Sequence, residues 1–200
     1  MGQTILSVES LSCMRAERLL FEKINFALPA GVALRIAGEN GSGKSSLLRI
    51  ICGLLPASTG TVYWHGVPIR QCRAQFHHQL LYLGHASAVS AELSVRENLD
   101  FAAALSGLDC TVAGADTALC AIGLREMAEL PARLLSQGQT RRLALARLWL
   151  PVLGQQPARL WVLDEAFNAL HQHACQRLKA RLQQHIADGG SLIYTTHQEQ

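Results

Sequence analysis

A chain of 200 residues that is 49% hydrophobic and 16% charged carries enough apolar material for a packed domain and is not a disordered chain. Its apolar stretches, such as Leu143 to Leu153, are broken by Arg147 and Pro151, so none reaches the roughly 20 uninterrupted apolar residues that span a bilayer. The net charge is +3, and no block of like charge marks a nucleic-acid arm, so no nucleic-acid partner is expected.

Along the chain, Ile5 to Val8 and Ile24 to Leu28 read as short strands, the second closed by Pro29-Ala30-Gly31. Val32 to Ala37 is too short for a helix and runs straight into glycines, which reads as a buried strand. From Lys44, Leu47, Leu48, Ile51 and Leu54 recur at helical spacing until Gly53 and Pro56 stop the pattern. Thr61 to Trp64, His65-Gly66 and Val67 to Ile69 predict a hairpin, and Leu80 to Leu83 another strand. Ala91 to Leu135 is rich in Ala and Leu and contains the capping pattern Ser94-x-x-Glu97. It predicts a helical subdomain, residues 86–135, inserted in a single α/β domain whose core is residues 1–85 and 136–200. The core resumes with a helix from about Gln139 to Leu150, ended by Pro151, then the strand Leu160 to Leu163. A last helix carries Leu170, Ala174, Leu178, Leu182 and Ile186 on one stripe, stops at Gly189-Gly190, and leads to the strand Ser191 to Thr195.

Six cysteines (13, 52, 72, 110, 120 and 175) contain no C-x-x-C pair, against structural zinc or a redox motif. The start Met1-Gly2-Gln3-Thr4 has no basic segment leading to an apolar core, so the chain reads as unexported and the thiols as reduced and buried. His171-x-His173-x-Cys175 falls in a predicted helix, where i and i+2 side chains diverge, which disfavours a metal site.

Gly38-Glu39-Asn40-Gly41-Ser42-Gly43-Lys44-Ser45 fits G-x-x-x-x-G-K-[ST] between a predicted strand and helix. Glycines let backbone N–H groups converge on phosphate oxygens, and the helix N-terminus adds its positive dipole. Lys44 is placed on the β- and γ-phosphates of ATP and the Ser45 hydroxyl on Mg²⁺, with Ser46 following in the same nucleotide-binding run. Leu160 to Leu163 ends in Asp164-Glu165; in a nucleotide-binding sheet, the carboxyl end of a parallel strand puts Asp164 beside the phosphate loop to hold Mg²⁺. Glu165, one residue on, points differently and can polarise an attacking water. Ser136-Gln137-Gly138-Gln139 opens a helix and forms a second anion site, one that a single phosphate loop does not need, so it serves another chain.

Leu135-Ser136-Gln137-Gly138-Gln139 resembles the Leu-Ser-Gly-Gly-Gln signature of ABC ATPases with one substitution, and Thr195-Thr196-His197 resembles their switch-histidine segment. With the phosphate loop and Asp164-Glu165, four motifs stand in that family's order across essentially the whole chain. The resemblance implies a P-loop NTPase (ABC ATPase) core of α/β class with an antiparallel β subdomain and an inserted α-helical subdomain. It also implies a head-to-tail homodimer in which Ser136 to Gln139 of one subunit cover ATP on the other, with Glu165 as general base and His197 on the γ-phosphate. Leu11-x-Cys13-x-Arg15, Tyr82-Leu83-Gly84-His85 and Arg141-Arg142-x-Ala144-Leu145-Ala146-Arg147-Leu148-Trp149 are similar to the ATP-binding subunit of the cytochrome c maturation (haem exporter) system. That likeness implies integral membrane subunits as partners and a peripheral location on the cytoplasmic face of a bacterial inner membrane. ATPases of other exporters or importers, and an ABC switch or scaffold protein, are the competing classes.

Departures from the family pattern fall at informative places. His85 stands where a glutamine is usual and can ligate Mg²⁺ or bond water. Arg15 stands where an aromatic stacks on adenine; a guanidinium can stack, or remain a plain surface arginine. His171 replaces the usual Asp of the loop after the second acid.

Overall fold

In a computed structural model of the chain, residues 3–108, 110–150 and 160–196 are described; Pro151 and His197 lie outside them. These residues form two compact units, one of residues 3–84, 160–165 and 185–196, the other of 85–108, 110–150 and 166–184.

The first unit contains two four-stranded sheets. The antiparallel one is built from β1 (Thr4–Arg15), β2 (Arg18–Pro29), β4 (Thr59–Trp64) and β5 (Val67–Pro68), in the order β2-β1-β4-β5. The two short strands expected near the start are in fact a long hairpin turning at Ala16-Glu17, whose φ values of 44° and 65° are the pair that a two-residue primed turn needs. No Gly or Asn marks this turn, and register shifts interrupt the alternation of β1, so that neighbours such as Ile5 and Leu6 are both buried. A bulge turns the strand by one residue and hides its period-2 signature. The His65-Gly66 hairpin forms as expected, with φ of 48° and 79° at its turn.

The second sheet is parallel and joins β3 (Ala33–Ile36), β6 (Leu80–Leu83), β7 (Leu160–Leu163) and β8 (Ser191–Thr195) in the order β3-β8-β7-β6. All four residues of β7 are buried, as a continuous apolar run between two neighbours requires. β3, expected to be buried, is half-exposed because it pairs with β8 alone at the sheet edge. Helix α1 (Lys44–Ile51) packs Leu47, Leu48, Ile50 and Ile51 into one apolar core with Leu6, Leu11 and Trp64 of the antiparallel sheet and Leu160, Val162 and Ile193 of the parallel one. A helix the periodicity did not announce, α2 (Arg73–His78), adds Phe76 to that core; six residues are too few to show a period.

The second unit holds α3 (Val95–Ser106), α4 (Val112–Ala121), α5 (Gln137–Leu145) and most of α6 (Gln172–Ala187). Ser94 caps α3 through the predicted box, its hydroxyl accepting from the Glu97 N–H while Glu97 accepts from the Ser94 N–H. The helix expected from Gln139 to Leu150 starts two residues earlier and tightens into a 3-10 turn over Ala146–Trp149. Towards the end of α6, in the first unit, His185 is buried and stacks on Trp161 of β7 at 3.7 Å and 3°, with Gly190 leaving room for its ring. The apolar stripe placed Ile186 there instead.

The thiols also differ from expectation. Cys13 and Cys52 are buried, Cys72, Cys110 and Cys175 half-buried, and Cys120 exposed.

Arg96 of α3 pairs with Asp116 of α4 and lies 3.4 Å from Glu129. The Arg96 hydrogen bond holds the Asp116 carboxyl below its ordinary value of 3.8. A lowered carboxylate contributes stability above its unfolded pKa and loses it as pH falls through the folded one. Asp116→Asn therefore lowers the melting temperature at pH 7, and the gap to wild type closes as pH drops below 3.8 in a thermal unfolding series; a gap independent of pH would exclude the pair as its source.

Candidate nucleotide site

Parallel register brings four strand ends together. Ile36, the last residue of β3, lies opposite Thr195 of β8; Leu163 of β7 lies opposite Tyr194; and Leu83 of β6 lies opposite Leu163. The chain leaves β3 into residues 37–43, leaves β7 into Asp164-Glu165, and leaves β8 into Thr196, so the expected phosphate loop and acids share one edge of one sheet. That edge is where open α/β sheets place ligands.

The loop has the shape that an anion cradle demands. Gly43, at φ 93°, ends it immediately before α1, and a β-carbon there would approach Leu20 Cβ to 3.0 Å. At Gly38 a β-carbon would meet the Ser42 hydroxyl at 2.8 Å. Lys44 is 8% exposed, and its ammonium donates to the Gly38 and Glu39 carbonyls, each at 2.7 Å. The ammonium therefore lies within the curve of the loop. Helices α3, α4 and α5 each have a side-chain N-cap, whereas α1 has none and carries no acid in its first turn. Its leading N–H groups and positive dipole end remain available to an anion. Ser45 and Ser46 are half-buried in that first turn; Glu39, Asn40, Gly41 and Ser42 are exposed.

Asp164 is fully buried and takes a hydrogen bond from the Thr195 hydroxyl at Oδ1, 2.8 Å. Burial first, then the Asp164 carboxylate, pushes the Cys52 thiol up; burial also raises the Tyr82 hydroxyl, against an Arg49 hydrogen bond that lowers it, with Asp164 adding a smaller upward push. Cys52 is thus held as a neutral thiol. Glu165 is half-buried with φ 52°, and its N–H donates to Thr195 Oγ1 at 2.9 Å. Arg15 is exposed at the end of β1, beside the tight Ala16-Glu17 turn.

Ser136, Gln137, Gly138, Gln139 and His85 belong to the second unit. Ser136 caps α5 in a full box: its hydroxyl accepts from the Gln139 N–H at 3.3 Å, and Gln139 Oε1 accepts from the Ser136 N–H at 2.7 Å. The pattern Ser-x-x-Gln signals this box in the sequence. The box occupies the amides of Ser136 and Gln139, so α5 presents those of Gln137 and Gly138. Gly138 is required by contact, since a β-carbon would lie 2.8 Å from the Ala169 carbonyl. The buried Arg141 donates to the His85 carbonyl at 3.2 Å, tying α5 to the residue in the glutamine position. Sequence reading gave Arg141 no such role. His171 is exposed just ahead of α6, and no cluster of three or more His, Cys, Asp or Glu residues able to hold a metal occurs among the described residues. Nor, among them, is any helix long and apolar enough to cross a membrane.

The ABC transporter family model matches residues 21–168. The cytochrome c biogenesis ATP-binding export protein CcmA of Aromatoleum aromaticum is 47% identical over 195 residues, covering 98% of this chain and 89% of that one. The protein of the same name from Nitrosococcus oceani is 46% identical over 198 residues, covering 98% and 87%. Among solved structures, an ATP-binding subunit of an ABC transporter superposes with a TM-score of 0.83 at 24% identity, over 97% of this chain and 80% of that one. A Pyrococcus furiosus protein described as a putative ABC transporter ATP-binding protein gives 0.80 at 23%, over 98% and 92%. Both structural likenesses concern the fold.

Proposed function

Because the chain belongs to the ABC transporter family, as an ATP-binding subunit of CcmA type, we propose that it is the Mg²⁺-dependent ATPase of a membrane complex for c-type cytochrome biogenesis. Hydrolysis in this reading energises haem export or release of a haem-loaded chaperone. The observation that carries the proposal is the shared sheet edge: the uncapped start of α1, the Lys44 ammonium inside its loop, and the buried Asp164 carboxylate all follow strands that end at one edge of the parallel sheet.

The amides of residues 38–46 bind the ATP phosphates, and Lys44 turns from the loop carbonyls to the β- and γ-phosphate oxygens. Ser45 and Asp164 offer the oxygen donors that Mg²⁺ prefers, so they hold the ion, and His85, a nitrogen donor, takes the water-bonding alternative. When bound, Mg²⁺ would supply neutralisation of the charge on the phosphates. Glu165 accepts the proton of the attacking water, His197 contacts the γ-phosphate, and Arg15 stacks on adenine. In a head-to-tail homodimer, Ser136 to Gln139 close the partner's site with the amides at the start of α5. Membrane subunits of the same complex hold the pair peripherally at the cytoplasmic face of the inner membrane.

The test is deletion of the gene in its own host, complemented by wild type or by Lys44→Ala and scored for covalent haem in c-type cytochromes. Wild type restores maturation and Lys44→Ala does not. Normal maturation with Lys44→Ala, or in the deletion strain itself, would defeat the assignment; loss of another transported solute with intact cytochromes would move the chain to a different ABC system.

A further inference from the structure

We infer that Thr195 is a positioning residue for hydrolysis: its single hydroxyl fixes the carboxylate of Asp164 and the backbone of Glu165 relative to each other and to the phosphate loop. The inference rests on the ATPase reading of those two acids.

Thr195 is fully buried at the end of β8, opposite Ile36, the last strand residue before the phosphate loop. A threonine hydroxyl has one proton to donate and lone pairs to accept with. The proton goes to Asp164 Oδ1 at 2.8 Å, and a lone pair takes the Glu165 N–H at 2.9 Å. The first bond sets the side-chain angle of Asp164 and turns one carboxylate oxygen towards β8, which decides how the other is presented to a cation. The second bond restrains Glu165 at φ 52°, a left-handed conformation that costs a β-carbon-bearing residue energy and persists only where its surroundings hold it. The direction of the Glu165 side chain, and so the place of the attacking water, follows from that backbone conformation. One hydroxyl thereby orients both acids, and it does so from the strand that runs on into the Thr196-His197 segment.

Valine matches threonine in shape and lacks the hydroxyl; serine keeps the hydroxyl and lacks the methyl. In the full chain with its complex, Thr195→Val lowers kcat for ATP by about tenfold or more while KM stays within about threefold, because the loss of two oriented hydrogen bonds falls on the transition state. Thr195→Ser restores kcat to within about threefold of wild type. A readout without turnover accompanies this: the Mg²⁺-dependent part of fluorescent ATP-analogue affinity, measured with the cation and with chelator, shrinks measurably but by no more than about threefold in Thr195→Val, the same ground-state share that bounds KM, and returns in Thr195→Ser. Equal kcat and equal Mg²⁺ dependence in Thr195→Val and wild type would overturn the inference, as would parallel loss in the Val and Ser variants. Should Thr195→Val fail to fold, Thr195→Ser against Thr195→Cys, similar in size and unequal in hydrogen-bonding strength, makes the same comparison, with the Ser variant expected to be the more active. A wild-type chain that does not hydrolyse ATP would instead refute the underlying ATPase reading.

Discussion

Lys44→Ala lowers the affinity for ATP by about one to two orders of magnitude while leaving the fold intact. Hydrogen bonds to charged partners contribute about 1.5–3 kcal/mol each, and 1.4 kcal/mol is a factor of ten in binding. The wild-type ammonium is already inside the loop, 2.7 Å from two carbonyls, so little ordering is needed to move it onto a phosphate oxygen. Those carbonyls belong to Gly38 and Glu39, both exposed, and water replaces the lost donor at small cost. Titration with a fluorescent ATP analogue reads the affinity, and a thermal melt without nucleotide reads the fold. Unchanged affinity would remove Lys44 from the phosphate site; a collapse of the melt would make its role structural.

Glu165→Gln retains ATP and loses turnover. The amide is isosteric with the carboxylate, and the contact that holds the backbone here is the Glu165 N–H to Thr195, which the substitution leaves untouched. A positioned general base contributes typically about 10²–10⁴-fold, so kcat falls by that factor while nucleotide affinity stays within about threefold. With hydrolysis blocked, ATP accumulates on the protein, and the proposed head-to-tail pair persists as a dimer in size-exclusion chromatography with ATP. Full turnover by Glu165→Gln would sink the assigned base. The two variants separate cleanly, since Lys44→Ala fails at binding and Glu165→Gln after it.

What could be read from the sequence is what its geometry makes compulsory. The tight loop between β3 and α1 was legible because positions such as Gly43 leave little room for a β-carbon, and β7 because a strand between two neighbours must be apolar throughout. The long β1–β2 hairpin was not legible: its bulges break the alternation, and its turn uses Ala16 and Glu17, neither of which advertises positive φ. Helix α2 is shorter than two turns, and β3 has the composition of a buried strand at a sheet edge. At the site, Asp164, Glu165 and Lys44 announced themselves by charge beside apolar runs. Thr195 did not, because a β-branched residue closing a strand looks like ordinary strand composition. Arg141 was hidden for a different reason. Its contact with the His85 carbonyl joins residues 56 apart in the chain through a backbone atom, which no side-chain pattern encodes.

The pairing of β3 with β8 also sets the order in which this sheet can close. The turn before β3 is tied to the start of β8 by the Gly31 N–H and the Ser191 hydroxyl, across a separation of 160 residues. A nascent chain thus carries its phosphate loop long before the strand that braces it exists, and a parallel pair of such high contact order closes late. The edge of the sheet that carries the loop is therefore completed only after most of the chain has been made, and until then the loop lacks its neighbour β8.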